Sequence, residues 1–120
     1  MAQFDVDTLR MLRDRREVAI YTERHPGTAV TIWIVVSGNE VFVRSVQGPK
    51  GRWYKDLAGG GVATLELDGR QVPVQAIPAI DTDSVEQASR EYLAKYKGSP
   101  YAPQMVRPEV LPTTLRLEPR

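Results

Sequence analysis

Two short turn signals constrain this chain more than anything else in it. Gly38-Asn39 sits between the run Ala29 to Ser37 (AVTIWIVVS) and the run Val41 to Val46 (VFVRSV), and Asp68-Gly69 sits between Val62 to Leu67 and Arg70 to Ile80. Two-residue loops of this composition adopt the left-handed turn conformations that match strand twist, so each flanking pair of runs is expected to be an antiparallel hairpin. The first run is nearly continuous in β-branched and aromatic residues, as expected of a central strand buried on both faces. In the second, Val41, Val43 and Ser45 alternate with Phe42, Arg44 and Val46, the period of a pleated strand whose faces meet different surroundings.

The remaining elements fit around these hairpins. Glu17 to Glu23 (EVAIYTE) reads as a strand, and Thr113 to Glu118 (TTLRLE) as a last alternating one. Pro73 and Pro78 remove ladder donors from the Arg70 to Ile80 strand, which predicts an edge or a bulge there. Residues 1–16 predict an N-terminal helix, with Asp5 as its cap, Phe4 stapled to Leu9, and Val6, Leu9 and Leu12 on the packed side. A short helix is expected over 49–58, opened by Pro49, and a longer one over 83–97, opened by Asp83 with Glu86. Tyr92 and Tyr96 on the longer helix read as packing residues. Four prolines between Pro100 and Pro112 mark a non-helical connection. The sum, over residues 1–120 as a single domain, is a mainly β fold with flanking helices. Its strands over 17–80 and 113–118, about six in all, hide their edges by curling into a small antiparallel barrel.

The stretch Val41 to Leu57 is where a binding site is expected. Gly48 and Pro49 stop a strand, and a helix starting there would leave the amides of Lys50, Gly51 and Arg52 open to an anion. Lys50 and Arg52 add charge, while Trp53 and Tyr54 add flat apolar surface. Trp33 on the partner strand is expected to share a pocket with Phe42 or Arg44, or else to sit in the core. His25 lies in the turn Arg24 to Gly27 with no carboxylate placed beside it by spacing, so a water-exposed loop histidine is expected.

Composition excludes several classes. Sixteen Lys and Arg against fifteen Asp and Glu give a net charge of +1, too little field to hold a nucleic acid or an anionic membrane surface. Arg10, Arg13, Arg15 and Arg16, interrupted by acids, read as a solvated helix face. Without cysteine there is no disulfide or thiolate chemistry, and one histidine cannot build a histidine metal cluster. The start, MAQFDVDTLRMLRDRRE, has the pattern of neither a signal peptide nor a membrane span, so a cytoplasmic protein is expected. Gly59-Gly60-Gly61 precedes a strand, unlike the glycine loops that cradle nucleotides.

The residues IWIVV, VRSVQG, RWY, AKYKG and TLRLEPR together resemble a family of uncharacterised small bacterial proteins within the FMN-binding split-barrel superfamily, which includes pyridoxamine-phosphate-oxidase-like and deazaflavin-dependent nitroreductase-like proteins. The resemblance implies a six-stranded antiparallel split β-barrel, a homodimer, and FMN or a deazaflavin coenzyme at the subunit interface supporting hydride transfer. Carried over, the phosphate-gripping positions are Arg44, Ser45, Gln47, Gly48, Lys50 and Arg52, with Trp33, Trp53 or Tyr54 against the ring. Pro49-Lys50 stands where the oxidase branch carries Ser-Arg-Lys, so only Lys50 matches cleanly. The alternative is a cofactor-free split barrel that uses the same pocket for another small molecule or a nonredox reaction.

Overall fold

The computed structural model describes residues 3–120 and folds them into one curled antiparallel sheet of seven strands with three α-helices. In chain order these are α1 (Val6–Asp14), β1 (Val18–Thr22), β2 (His25–Ile32), β3 (Ile34–Ser37), β4 (Glu40–Val43), α2 (Arg52–Leu57), β5 (Gly61–Leu67), β6 (Arg70–Pro78), α3 (Thr82–Lys95) and β7 (Leu115–Pro119). Across the sheet the order is β2-β1-β5-β6-β7-β4-β3. Both expected hairpins form, with Ser37 opposite Glu40 and Leu67 opposite Arg70.

The count is seven rather than six because the run Ala29 to Ser37 is not one strand. It breaks at Trp33, and its halves lie at opposite edges of the sheet. Edges separated by a single residue in the chain must come close in space, so the sheet curls into a half-barrel closed by chain connection rather than by a ladder. Tyrosines from α3 take the polar groups freed at the break. The Tyr92 hydroxyl donates to the Trp33 carbonyl (2.8 Å), and the Tyr96 hydroxyl accepts from the Ile34 amide (3.2 Å) while donating to the Arg16 carbonyl (2.7 Å). The Tyr96 ring also stacks on the Trp33 indole, with centroids 4.1 Å apart and planes within 2°. Both tyrosines are fully buried, as packing residues should be. Only the second half of the run is buried; β2 is largely exposed, as an edge strand is free to be.

Strand alternation sorts the core into two layers. Ile20, Ile34, Val41, Val43, Leu65, Val74 and Leu117 fill the inside of the curl with Leu12 and Trp53. Val35 and Phe42 point outward, under Ala88, Tyr92 and Tyr96 of α3 and Met105 of the proline-rich connection. That connection forms 3-10 turns at Ala102–Val106 and Leu111–Thr113, and Met105 and Val110 are buried against their own chain.

Several boundaries move for local reasons. The predicted helix over 1–16 spans Val6–Asp14, its first two positions lying outside the described residues; Asp5 caps it by accepting from the Thr8 amide (2.7 Å), but Val6 is 71% exposed. Helix α3 is capped by Asp81 accepting from the Ser84 amide, not by Asp83. Strand β7 begins at Leu115 because Thr113 and Thr114 bond their hydroxyls back to the Val110 and Leu111 carbonyls. Strand β6 is interior rather than at an edge. Its prolines are tolerated because each lies past the end of one neighbour: β7 pairs only with Val74 to Pro78, leaving Pro73 beyond it, and β5 pairs only with Arg70 to Ala76, leaving Pro78 beyond it.

Candidate functional site

The expected single helix over 49–58 is two pieces. Gly48–Lys50 is a 3-10 turn with Pro49 near its start, Gly51 is extended, and α2 begins at Arg52. Glycine is required at two points here. Gly48 has φ +71°, and a side chain at Gly51 would run into Ser45 Oγ. The Gly51 amide donates to the Gly48 carbonyl (3.2 Å) and is closed to an anion.

The turn separates the residues expected to grip a phosphate. Arg44 points outward under α3. Ser45 is fully buried beneath Gly51, its hydroxyl without a hydrogen-bond partner and its amide held by Thr113 Oγ1 (3.0 Å). Gly48 is buried, Gln47 and Lys50 are exposed, and Arg52 Nη1 leans toward Asp56 Oδ2 (3.9 Å). A phosphate requires donors that converge; Arg44 and Ser45 are buried while Gln47, Lys50 and Arg52 are exposed, so the six do not form one grip within a single copy of the chain.

Three of the expected residues do converge. Trp33, Arg44 and Trp53 line one cavity of about 390 Å³, together with Thr31, Tyr101 and Met105. Tyr54 lies apart, with its hydroxyl directed at the Pro112 carbonyl (3.4 Å). Trp33 and Trp53 are the only tryptophans in the chain, and they reach the cavity from the sheet break and from α2. Tyr101, Gln104 and Met105 come from the proline-rich connection, which the sequence marks only as non-helical. A second opening of about 420 Å³ lies on the outer side of β1, β5 and β6, lined by Tyr21, Glu23, Gln71 and Arg120 among others. It contains none of the expected site residues.

Arg44 gives the first cavity its electrostatic character. The residue is 1% exposed, yet no carboxylate lies within ion-pair distance among the described residues. Its Nε donates to Thr114 Oγ1 (2.8 Å), Nη1 to Ser89 Oγ (2.9 Å) and the Met105 carbonyl (3.0 Å), and Nη2 to the Val85 carbonyl (2.9 Å). The Tyr92 ring lies 5.7 Å away beneath the guanidinium. Burial lowers the Arg44 pKa, with Tyr92 acting the other way, but the group remains a cation. A guanidinium has five N–H donors, so one on Nη2 is left over, on a buried charge balanced only by neutral acceptors.

A family model for an uncharacterised protein conserved in bacteria, DUF2255, matches residues 8–117. The chain belongs to this family. No curated protein matches it. Among solved structures, the DUF2255 chain is similar to the conserved hypothetical protein Rv2991 from Mycobacterium tuberculosis, with a TM-score of 0.67 at 12% identity over 100% of this chain and 82% of that one. At that identity the likeness is one of fold.

In this DUF2255 protein His25 is not the solitary loop residue its spacing suggested. Its ring Nδ1 lies 2.7 Å from Asp56 Oδ2, which also accepts from Thr22 Oγ1 at 2.7 Å. Thirty-one positions separate His25 from Asp56, so no local signal could pair them. Burial pushes the Asp56 carboxyl up, but the hydrogen bonds from Thr22 and His25 and the charges of His25 and Arg52 outweigh it, holding the group below its ordinary value. No helix among the described residues is long and apolar enough to cross a membrane.

Proposed function

We propose that the curled sheet is a split barrel and that the protein binds a flat, negatively charged small molecule in the cavity between Trp33, Trp53 and Arg44. The observation that carries this reading is the uncompensated buried guanidinium in the wall of an aromatic cavity. A buried cation without a counter-charge is costly to the free protein, and an anionic ligand would relieve that cost while its ring covers apolar surface. The single charge suits a monoanion such as a carboxylate better than a phosphate dianion. This is the cofactor-free form of the fold, acting as a small-molecule binder or a nonredox enzyme.

A flavin or deazaflavin oxidoreductase is the second reading. It is favoured by the resemblance of IWIVV, VRSVQG and RWY and by the presence of Trp33, Arg44 and Trp53 around one cavity. It requires a phosphate contact outside the cavity, where Lys50 and Arg52 are exposed, and a second copy of the chain is the natural source of further donors. The visible spectrum of freshly purified protein, with titrations of FMN, a deazaflavin and an aromatic monocarboxylate, separates the two. A colourless protein that binds only the carboxylate supports the first reading, and retained yellow cofactor supports the second.

A further inference from the structure

The cluster at His25, Asp56, Thr22 and Arg52 lies outside the cavity, and of its residues only Arg52 enters the second reading above. It is layered by exposure. The Asp56 side chain is 7% exposed, while His25 and Arg52 are 42% and 45% exposed. All three partners address the same oxygen, Asp56 Oδ2: Thr22 Oγ1 and His25 Nδ1 at 2.7 Å, and Arg52 Nη1 at 3.9 Å. An ionised carboxylate only accepts hydrogen bonds, so both near partners donate to it. His25 therefore carries its proton on Nδ1 when neutral, which leaves the Nε2 lone pair for a group outside the protein. The ladder between β1 and β2 shifts register between Ile20 and Thr22, where Thr22 comes opposite His25.

With His25 neutral, Asp56 and Arg52 cancel. With His25 protonated, the cluster carries one net positive charge at its exposed rim and its only acid is turned inward. The other charged side chains nearby in the chain are Glu23 and Arg24 in the β1–β2 turn, of opposite sign, and Lys50 and Lys55 around α2, all exposed. We propose that His25 and Arg52 form a second ligand site, for a small oxyanion such as a carboxylate or phosphate, to which His25 Nε2 donates once it has taken a proton from solution. On binding, one proton from the buffer acid joins the Nε2 lone pair, leaving the buffer's conjugate base in solution. Asp56 holds the resulting imidazolium, and Arg52 holds the oxyanion. An acceptor that fixes the ring from behind and an open nitrogen in front is the arrangement of a general acid or base.

His25 is the chain's single histidine, so its ring resonances report this site without ambiguity. The test follows the imidazole nitrogens by NMR while inorganic phosphate, sodium acetate and, at matched ionic strength, sodium chloride are added at about pH 6. Saturable shifts with phosphate or acetate and none with chloride are expected; the stronger of the two names the ligand's headgroup. R52Q, a change at a half-exposed side chain outside the core, should weaken the response at least about fivefold. At high pH the neutral ring should carry its proton on Nδ1, and D56N should abolish that preference. Calorimetry in two buffers of different ionisation enthalpy should show proton uptake on binding. Shifts that follow ionic strength alone, wild-type binding by R52Q, or a neutral ring protonated on Nε2 would each overturn the proposal. The measurements on the wild type and R52Q stand even if D56N does not fold.

Discussion

Replacing Arg44 by methionine tests whether the buried guanidinium holds the outer layer together. Methionine fills similar space but has no donors, so Thr114 Oγ1, Ser89 Oγ and the Val85 and Met105 carbonyls lose a partner. These acceptors come from β7's approach, α3 and the proline-rich connection, all of which Arg44 ties to β4. A stranded buried polar group costs about 1–3 kcal/mol. The two hydroxyls soften the loss, since each already donates or can turn elsewhere, as Thr114 does to the Leu111 carbonyl (2.7 Å). Removing an unpaired buried charge returns a further part. The net expectation is a loss of about 2–4 kcal/mol, which with an m-value of about 2 kcal/mol/M lowers the urea midpoint by about 1–2 M. Arg44→Lys should fall between, because one ammonium cannot reach all four acceptors. Urea unfolding followed by circular dichroism measures all three proteins. An Arg44→Met variant as stable as the wild type would refute the reasoning, because the four bonds would then contribute no more than the buried charge costs.

Three further outcomes follow from the same geometry. Gly51→Ala should cost about 1–3 kcal/mol in thermal or urea unfolding, because the new methyl group meets Ser45 Oγ and the turn must shift to admit it. Lys50→Ala should change affinity for a cavity ligand less than about twofold, since its exposed side chain lies outside the cavity, whereas loss of a phosphate contact would cost tenfold or more. Stability should rise between about pH 8 and the ordinary lysine range, because burial, aided by Arg16 and opposed by Asp14, pushes Lys95 down to about 8 in the fold. The unfolded chain then binds more protons over that window, so the slope of stability with pH is positive. Above pH 10 the opposite sign applies to Tyr92 and Tyr96, raised chiefly by burial, Tyr96 to about 12. Lys95→Met should remove the rise and leave the fall, as read from urea midpoints across pH.

The parts of the fold legible in the sequence are those decided locally. Gly38-Asn39 and Asp68-Gly69 specify their hairpins by backbone conformation, and Asp5 caps α1 through a residue three positions on. The break at Trp33 was hidden because its cause is distant: the carbonyl that ends β2 is bonded by Tyr92, fifty-nine residues later. From within IWIVV the pattern is that of an uninterrupted strand. The candidate site divides the same way. Trp33, Arg44 and Trp53 are singled out by residue type and period, but Arg44 and Ser45 lie just past the end of β4, where Arg44 bonds to α3 and the proline-rich connection and Ser45 is buried beneath Gly51. The pairing of His25 with Asp56 and the contribution of Tyr101 and Met105 to the cavity depend on tertiary placement.

The most direct test of the cavity is its own fluorescence. Both tryptophans of the chain line it, so the whole indole signal reports on that space. Titrating the protein with an aromatic monocarboxylate should give a saturable change in tryptophan emission that is weakened at least about tenfold in Arg44→Lys. Emission that stays constant with the monocarboxylate, FMN and a deazaflavin alike would contradict a ligand site between Trp33, Trp53 and Arg44.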